Sequence, residues 1–170
     1  MVQLLAMSHE FIIRTIEPGD NIDLAKIIRD TLREFNAVKP GTVYDDDRTD
    51  HLFEVFKAAG SIYYVAEFNG EITGGAGIYP TANLPAGTCE LVKLYLTPLA
   101  RGKGIGKILM QKCIVAAKEL GYQQIYLETM PELIIAIPMY KKFGFTHLPA
   151  AQGSSGHTGC DVWMIKDLEE

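Results

Sequence analysis

Apolar and polar positions follow two rhythms along this chain, and the switches between them mark its elements. Phe11-Ile12-Ile13-Arg14 reads as a short first strand. Pro18-Gly19-Asp20-Asn21 then supplies a turn and a helix cap. Leu24, Ile28, Leu32 and Phe35 recur at helical spacing, which predicts an amphipathic helix over 21–35. A polar connection, 45–50, leads into a second helix with Leu52, Val55, Phe56 and Ala59 on one face. Residues 61–68 are rich in aromatic and β-branched side chains and predict a strand. Asn69-Gly70 follows, the dipeptide that suits a two-residue type I′ hairpin because both positions need positive φ. The return strand, 71–79, contains Gly74-Gly75-Ala76-Gly77, a run that weakens a strand but lets something approach its backbone closely.

The second half switches rhythm again. Residues 89–96 form a strand that Thr97-Pro98 ends. Ile105, Leu109, Cys113, Ala116 and Leu120 mark one face of a long helix, with Gly121 as its C′ residue. A buried strand over 124–128 comes next. Pro131 suits the first turn of a further helix running to about residue 142, with a kink or break expected at Pro138. Phe143-Gly144-Phe145 turns into another strand. A Gly/Ser-rich loop, 152–159, precedes the last one, 161–165. The pattern is one mixed α/β domain over 11–170, behind a loose leader at 1–10. Its antiparallel strands come first, and a strand–helix–strand unit lies at its centre.

Composition narrows the function classes. With 170 residues, 48% of them hydrophobic and 22% charged, the chain can bury a sizeable core. A formal charge of −5 argues against a general nucleic-acid binder, which needs a basic face. Apolar runs stop well short of the ~18 residues a membrane span requires, and the first ten residues lack the charge and apolar pattern of a secretory signal. Three widely spaced cysteines, Cys89, Cys113 and Cys160, read as reduced thiols in a cytoplasmic protein.

The chemistry concentrates after the strand that ends at Leu96. Arg101-Gly102-Lys103-Gly104-Ile105-Gly106-Lys107 opens the long helix, so successive backbone N–H groups can converge at the positive end of its dipole. Glycine admits an anion to hydrogen-bond distance where a Cβ would stand in the way. Arg101, Lys103 and Lys107 add positive charge, and a pyrophosphate is the natural ligand. The P-loop pattern is absent. The dinucleotide fingerprint fails too: its third glycine would fall on Lys107 counted from Gly102, or on Leu109 counted from Gly104.

Arg101, Gly104 and Gly106 match (Q/R)-x-x-G-x-(G/A), and Ala136-x-x-x-Tyr140-Lys141-Lys142-Phe143-Gly144-Phe145 is similar to A-x-x-x-Y-x-x-x-G-F. With the order of elements and the Asn69-Gly70 hairpin, the chain resembles the Gcn5-related N-acetyltransferase (GNAT) family over nearly its whole length. The resemblance implies a twisted, mostly antiparallel sheet of six or seven strands, splayed between the fourth and fifth, with about four helices. It implies acetyl-coenzyme A as cosubstrate and no metal. The cosubstrate would be held by Leu94, Tyr95 and Leu96 on the strand, by the loop and helix start Arg101, Gly102, Lys103, Gly104, Ile105, Gly106 and Lys107, and by Ala136. Backbone groups at Leu94 and Leu96 would take the pantetheine arm as an added strand, and an N–H there would stabilise the oxyanion. Tyr140 is similar to the family's tyrosine that protonates the departing thiolate, with an amphipathic core tyrosine as the other reading. Many members carry Asn seven residues before that tyrosine, where this chain has Leu133.

Glu90 stands eleven residues before Arg101, the spacing at which histone-modifying members carry a catalytic glutamate. Two readings remain: a base that deprotonates an amine, or a structural carboxylate at the exposed start of its strand, capping a loop or paired with Lys93. Cys89 reads as packing rather than as a nucleophile. His157 and Cys160, with His147 elsewhere, fall short of a paired metal site. Some acetyltransferases resemble this chain's Gly/Ser-His-Cys tail, which implies that the loop borders the acceptor pocket and makes His157 an auxiliary base. Asp45-Asp46-Asp47 and Asp50 read as a solvated turn and helix cap, or as an acidic lip for an amine. The expected acceptor is the amine of a small molecule or peptide, with a homodimer possible and an acyl-coenzyme A-binding module without catalysis as the alternative reading.

Overall fold

The computed structural model describes residues 10–169, so the leader expected over 1–10 lies outside the described residues apart from exposed Glu10. In chain order the elements are β1 (Phe11–Thr15), α1 (Asn21–Glu34), α2 (Leu52–Val55), β2 (Ile62–Phe68), β3 (Glu71–Tyr79) and β4 (Thr88–Leu96). They continue with α3 (Ile105–Glu119), β5 (Gln124–Thr129), α4 (Ala136–Lys142), β6 (Thr146–Leu148) and β7 (Val162–Asp167). Seven strands form one sheet in the order β1-β2-β3-β4-β5-β7-β6. Every neighbouring pair is antiparallel except β4 and β5, which the α3 crossover joins. Among the described residues no helix is long and apolar enough to cross a membrane.

Two apolar layers cover the sheet. On one side α3 buries Ile105, Leu109, Met110, Cys113, Ala116 and Ala117 against Ala76, Ile78, Leu91 and Ile125. On the other, Leu24, Ile28 and Leu32 of α1 pack with Leu52, Tyr63, Val65 and Met130. Each fully buried Leu or Ile stabilises the fold by about 1.5–3 kcal/mol relative to exposure, before the entropy of ordering it. Leu120, expected on the buried face of α3, is 47% exposed; it is the C-cap, one residue past the last helical turn.

Positive φ at Asn69 (52°) and Gly70 (80°) closes the β2–β3 hairpin as the dipeptide predicts. The glycines of β3 also have an identifiable visitor. A Cβ on Gly75 would come within 2.6 Å of the Tyr63 ring, and one on Gly77 would meet the same ring at 2.6 Å. The flat strand surface thus makes room for Tyr63, whose hydroxyl donates a 2.8 Å hydrogen bond to the carbonyl of Lys93.

Lys93 sits in a β-bulge. Val92 faces Gly77 and Tyr95 faces Gly75, so β4 carries one residue more than β3 across this stretch. Lys93 takes φ +53°, rare for a residue with a Cβ. A bulge bends its strand, and β4 pairs with β5 only from Thr88 to Glu90. Beyond Glu90 the two parallel strands part.

One expected helix is corrected. Residues 131–135 form successive turns, with Leu133 N–H donating to Met130 and Ala136 N–H to Leu133, and α4 starts only at Ala136. Pro138 therefore falls in the first turn of α4, where a missing N–H breaks no intrahelical bond. The expected interior break is a helix start. The second helix likewise ends at Val55, short of Ala59.

Candidate active site

The parting of β4 from β5 opens a cleft. Its floor is β4 from Glu90 to Leu96, and its walls come from Phe35 after α1, Gly106 of α3, Thr129 at the end of β5, Met130 just after it, and Ala136, Met139 and Tyr140 of α4. Leu133 lines the same cleft as an apolar side chain, packed against the α1 layer.

The glycine loop closes one end. Pro98–Ala100 makes a 3-10 turn, and Gly102 (φ 71°) and Gly104 (φ 80°) then take left-handed conformations. Gly104 is the N-cap of α3 and no side chain caps that helix, which leaves its first-turn N–H groups without intrahelical partners. A Cβ on Gly102 or Gly104 would meet nothing within 4 Å, whereas one on buried Gly106 would press on Leu96 at 3.3 Å and Met139 at 3.4 Å. At Gly106 the two side chains would have to give by a few tenths of an ångström, whereas at Gly104 the left-handed dihedral angle favours glycine.

The basic residues of this loop do different things. Arg101 donates to both carboxylate oxygens of Glu34 at 2.7 and 2.8 Å and to the Leu96 carbonyl at 3.1 Å, and its guanidinium lies 5.0 Å over the Phe35 ring. It ties the loop to α1 and to the end of β4. Lys103 donates to the Leu99 carbonyl, and Lys107 is exposed.

Where the strands separate, Glu90 is only 4% exposed. It is therefore not at an exposed strand start, and no ion pair joins it to Lys93 among the described residues. The Thr81 hydroxyl donates to it. Burial pushes the Glu90 carboxyl up to about 7; the Thr81 hydrogen bond opposes this and the charge of Glu128 adds to it. A second cavity lies beyond Glu90, lined by Arg48, Tyr79, Thr81, Lys93 and Ser155 among others. Glu90, Lys93 and His157 border both cavities.

Sequence reasoning missed the partners that surround Glu90. Glu128 accepts hydrogen bonds from the Tyr126 hydroxyl (2.8 Å) and the Ser155 hydroxyl (2.7 Å). An acid between Leu127 and Thr129 in a buried strand is the same anomaly that singled out Glu90. His157 Nε2 lies 2.8 Å from Asp46 Oδ2. Asp46 also accepts from Arg48 Nη2 at 2.9 Å. Burial would raise the Asp46 carboxyl, but the bonds from Arg48 and His157 win and hold it well below the usual carboxylate range. Burial pushes the His157 imidazole below its usual value, and Asp46 only partly restores it. The acidic lip expected of 45–47 is therefore not free at Asp46, which serves as a brace.

The loop that carries His157 is fastened next door. Gly159 N–H donates to the Gly41 carbonyl at 2.8 Å, and a Cβ on Gly159 would come within 2.5 Å of the Pro40 carbonyl. His147, by contrast, lies exposed on β6. Glu90, Glu128 and His157 place one ligand atom each within 4.8 Å of one another. Hydroxyl donors and Asp46 engage four of the donor atoms of this trio.

Tyr140 is 6% exposed, and its hydroxyl makes no hydrogen bond to any described residue. Burial pushes its phenol well above the ordinary range, so it keeps its proton at neutral pH. Cys89 is fully buried, its thiol pushed by burial to about 12, which fits packing and not nucleophilic chemistry.

A sheet splayed beside a glycine-capped crossover helix, with a carboxyl and a phenol on its cleft, defines an acyltransferase architecture. The model of the Acetyltransferase (GNAT) family matches residues 24–145. YjgM of Escherichia coli K12, described as an uncharacterized N-acetyltransferase, is 36% identical over 158 residues, covering 92% of this chain and 95% of its own. In structure, a GNAT acetyltransferase from Staphylococcus aureus Mu50 superposes with a TM-score of 0.83 at 20% identity, over 94% of this chain and 100% of its own. The PaiA N-acetyltransferase of Thermoplasma acidophilum, in complex with coenzyme A, gives 0.72 at 19% identity, over 93% and 99%. The chain belongs to the GNAT family. It is an N-acetyltransferase, of a class that draws its acetyl group from acetyl-coenzyme A.

Proposed function

We propose that residues 11–170 act as one domain that transfers the acetyl group of acetyl-coenzyme A directly to the amine of a small molecule or peptide, with Glu90 as base and Tyr140 as acid. Three features support the fit of the cosubstrate. The first turn of α3 offers uncapped N–H donors at the helix's positive end. Gly104 leaves open space where a diphosphate would approach, and the edge of β4 beyond Glu90 has no strand partner on the β5 side.

Acetyl-coenzyme A supplies an activated acyl thioester when bound. Loop and helix N–H groups from Gly102 to Lys107 bind the diphosphate, with Lys103 and Lys107 adding charge. Arg101 contributes mainly by holding the loop in place. Backbone groups of Leu94, Tyr95 and Leu96 align the pantetheine arm along β4, and Ala136 packs beside it. A β4 N–H stabilises negative charge developing on the carbonyl oxygen.

Glu90 takes a proton from the acceptor, directly or through water. An amine is mostly protonated at pH 7 and becomes nucleophilic only after losing that proton, and a carboxyl near 7 is matched to the task. His157, braced by Asp46 on the cleft wall, relays the proton outward as an auxiliary base. Tyr140, protonated and without a partner for its hydroxyl among the described residues, gives its proton to the leaving sulfur. The observation that carries this reading is the buried Glu90 carboxyl at the seam between the two cavities.

The test is free-thiol release from acetyl-coenzyme A across an amine library. Glu90→Gln and Tyr140→Phe should each lower kcat about 10²- to 10⁴-fold while acetyl-coenzyme A still raises Tm. Unchanged turnover in both variants overturns the assignment of roles.

A further inference from the structure

The cavity on the far side of Glu90 is cationic in an otherwise acidic protein. Arg48 and Lys93 both line it, and the acids facing them are Asp46 and Glu90. Asp46 is engaged by Arg48 and by His157, and Glu90 by Thr81. Arg48 uses Nε and Nη2 on Asp46 and Nη2 again on the Ser155 carbonyl, which leaves Nη1 without a bond to the described residues.

Lys93 is the sharper case. Its ammonium makes no hydrogen bond or ion pair among the described residues, although the side chain is partly buried. Burial pushes it below its ordinary value, and the charges of Asp46 and Glu90 only partly offset this. An ammonium partly withdrawn from water without a partner carries a cost, and the bulge that places it there adds a left-handed backbone at a non-glycine residue. An anion bound in this cavity would relieve the first of these penalties and complete the free edge of Arg48.

Resting on the acetyl-transfer reading above, we propose that the acceptor is an amino carboxylate of amino-acid size. Its amine is presented to Glu90, and its carboxylate is held in the second cavity by Lys93 and Arg48. Both charged groups of such a molecule meet an opposite charge there, whereas a simple aliphatic amine or a polyamine would bring further positive charge toward two cations.

The experiment is thiol release by the full-length protein with acetyl-coenzyme A, comparing each standard amino acid with its methyl ester and its decarboxylated amine. At least one acid should exceed both relatives by about tenfold or more in kcat/KM. In Lys93→Met that ratio should fall toward one through a raised KM, and Lys93→Arg should restore it. The Tm shift with acetyl-coenzyme A confirms that each variant is folded and binds the cosubstrate. Amines and esters reacting as well as every acid overturn the acceptor assignment while leaving acetyl transfer standing, as does a preference that survives Lys93→Met. No thiol release from any amine, with no Tm shift, overturns both readings.

Discussion

The hydroxyl of Tyr63 on β2 donates to the main-chain carbonyl of Lys93 on β4 across 2.8 Å, reaching under β3 through the gap its glycines leave. This bond pins the bulge that follows the parting of β4 from β5 at Glu90. Tyr63→Phe keeps the ring and removes the pin, leaving a carbonyl short of a partner. Loss of about 1–3 kcal/mol is expected, read by urea unfolding, together with a lower kcat/KM. An unchanged KM for acetyl-coenzyme A and unchanged stability would show that the bulge holds without it.

The pH profile should follow Glu90. A base must be ionised to work, so kcat/KM should rise with pH through a midpoint of about 7, as the Glu90 carboxyl loses its proton, and level above it. In Glu90→Asp the rising limb should persist with its midpoint moved, and in Glu90→Gln it should flatten. A wild-type profile that is level from pH 5 to 9 (roughly two units either side of neutrality, ample for one titration) would exclude Glu90 as the base.

The same carboxyl works against stability. Its folded value is raised above the ordinary 4.5, so the native state holds its proton more tightly than the unfolded chain. This contribution is fully present below about 4.5 and is lost as pH rises through about 7. Glu90→Gln should therefore stabilise the protein at pH 8 relative to wild type, by on the order of 3 kcal/mol at most, and much less at acid pH. Denaturant midpoints of both proteins at two pH values provide the check; an equal difference at both would contradict the buried-carboxyl account.

Gly104 and Gly70 make a matched pair. Both adopt φ +80°, and at both an added Cβ meets no neighbour within 4 Å. Glutamate at either position carries a similar backbone strain of roughly 1–2 kcal/mol. Gly104→Glu should abolish the Tm rise with acetyl-coenzyme A, and Gly70→Glu should leave it intact. Equal behaviour of the two would remove the phosphate role from the loop.

Tyr140→Phe deletes a hydroxyl that has no bond to any described residue. The structural loss should be small, within about 0.5 kcal/mol, while kcat falls and KM for acetyl-coenzyme A stays near its original value. A large drop in Tm with unaltered kcat would assign Tyr140 to packing alone.

Local patterns in the chain already determined most of the elements, because a strand's period of two, a helical stripe and a dipeptide such as Asn69-Gly70 are set by near neighbours. The same holds for the glycine loop before α3 and for Glu90 and Tyr140, which stand out against their immediate surroundings. The start of α4 is not legible locally because Pro131 and Pro138 each suit a first turn; in the fold Pro138 occupies it.

Tertiary structure alone decided what surrounds Glu90. Thr81, Glu128 and His157 come from three stretches of chain outside β4, and Asp46 meets His157 across 111 positions. No local rule links such groups. Burial and charge act through space, so the Glu90 carboxyl moves to about 7 only once these segments have closed over it and excluded water.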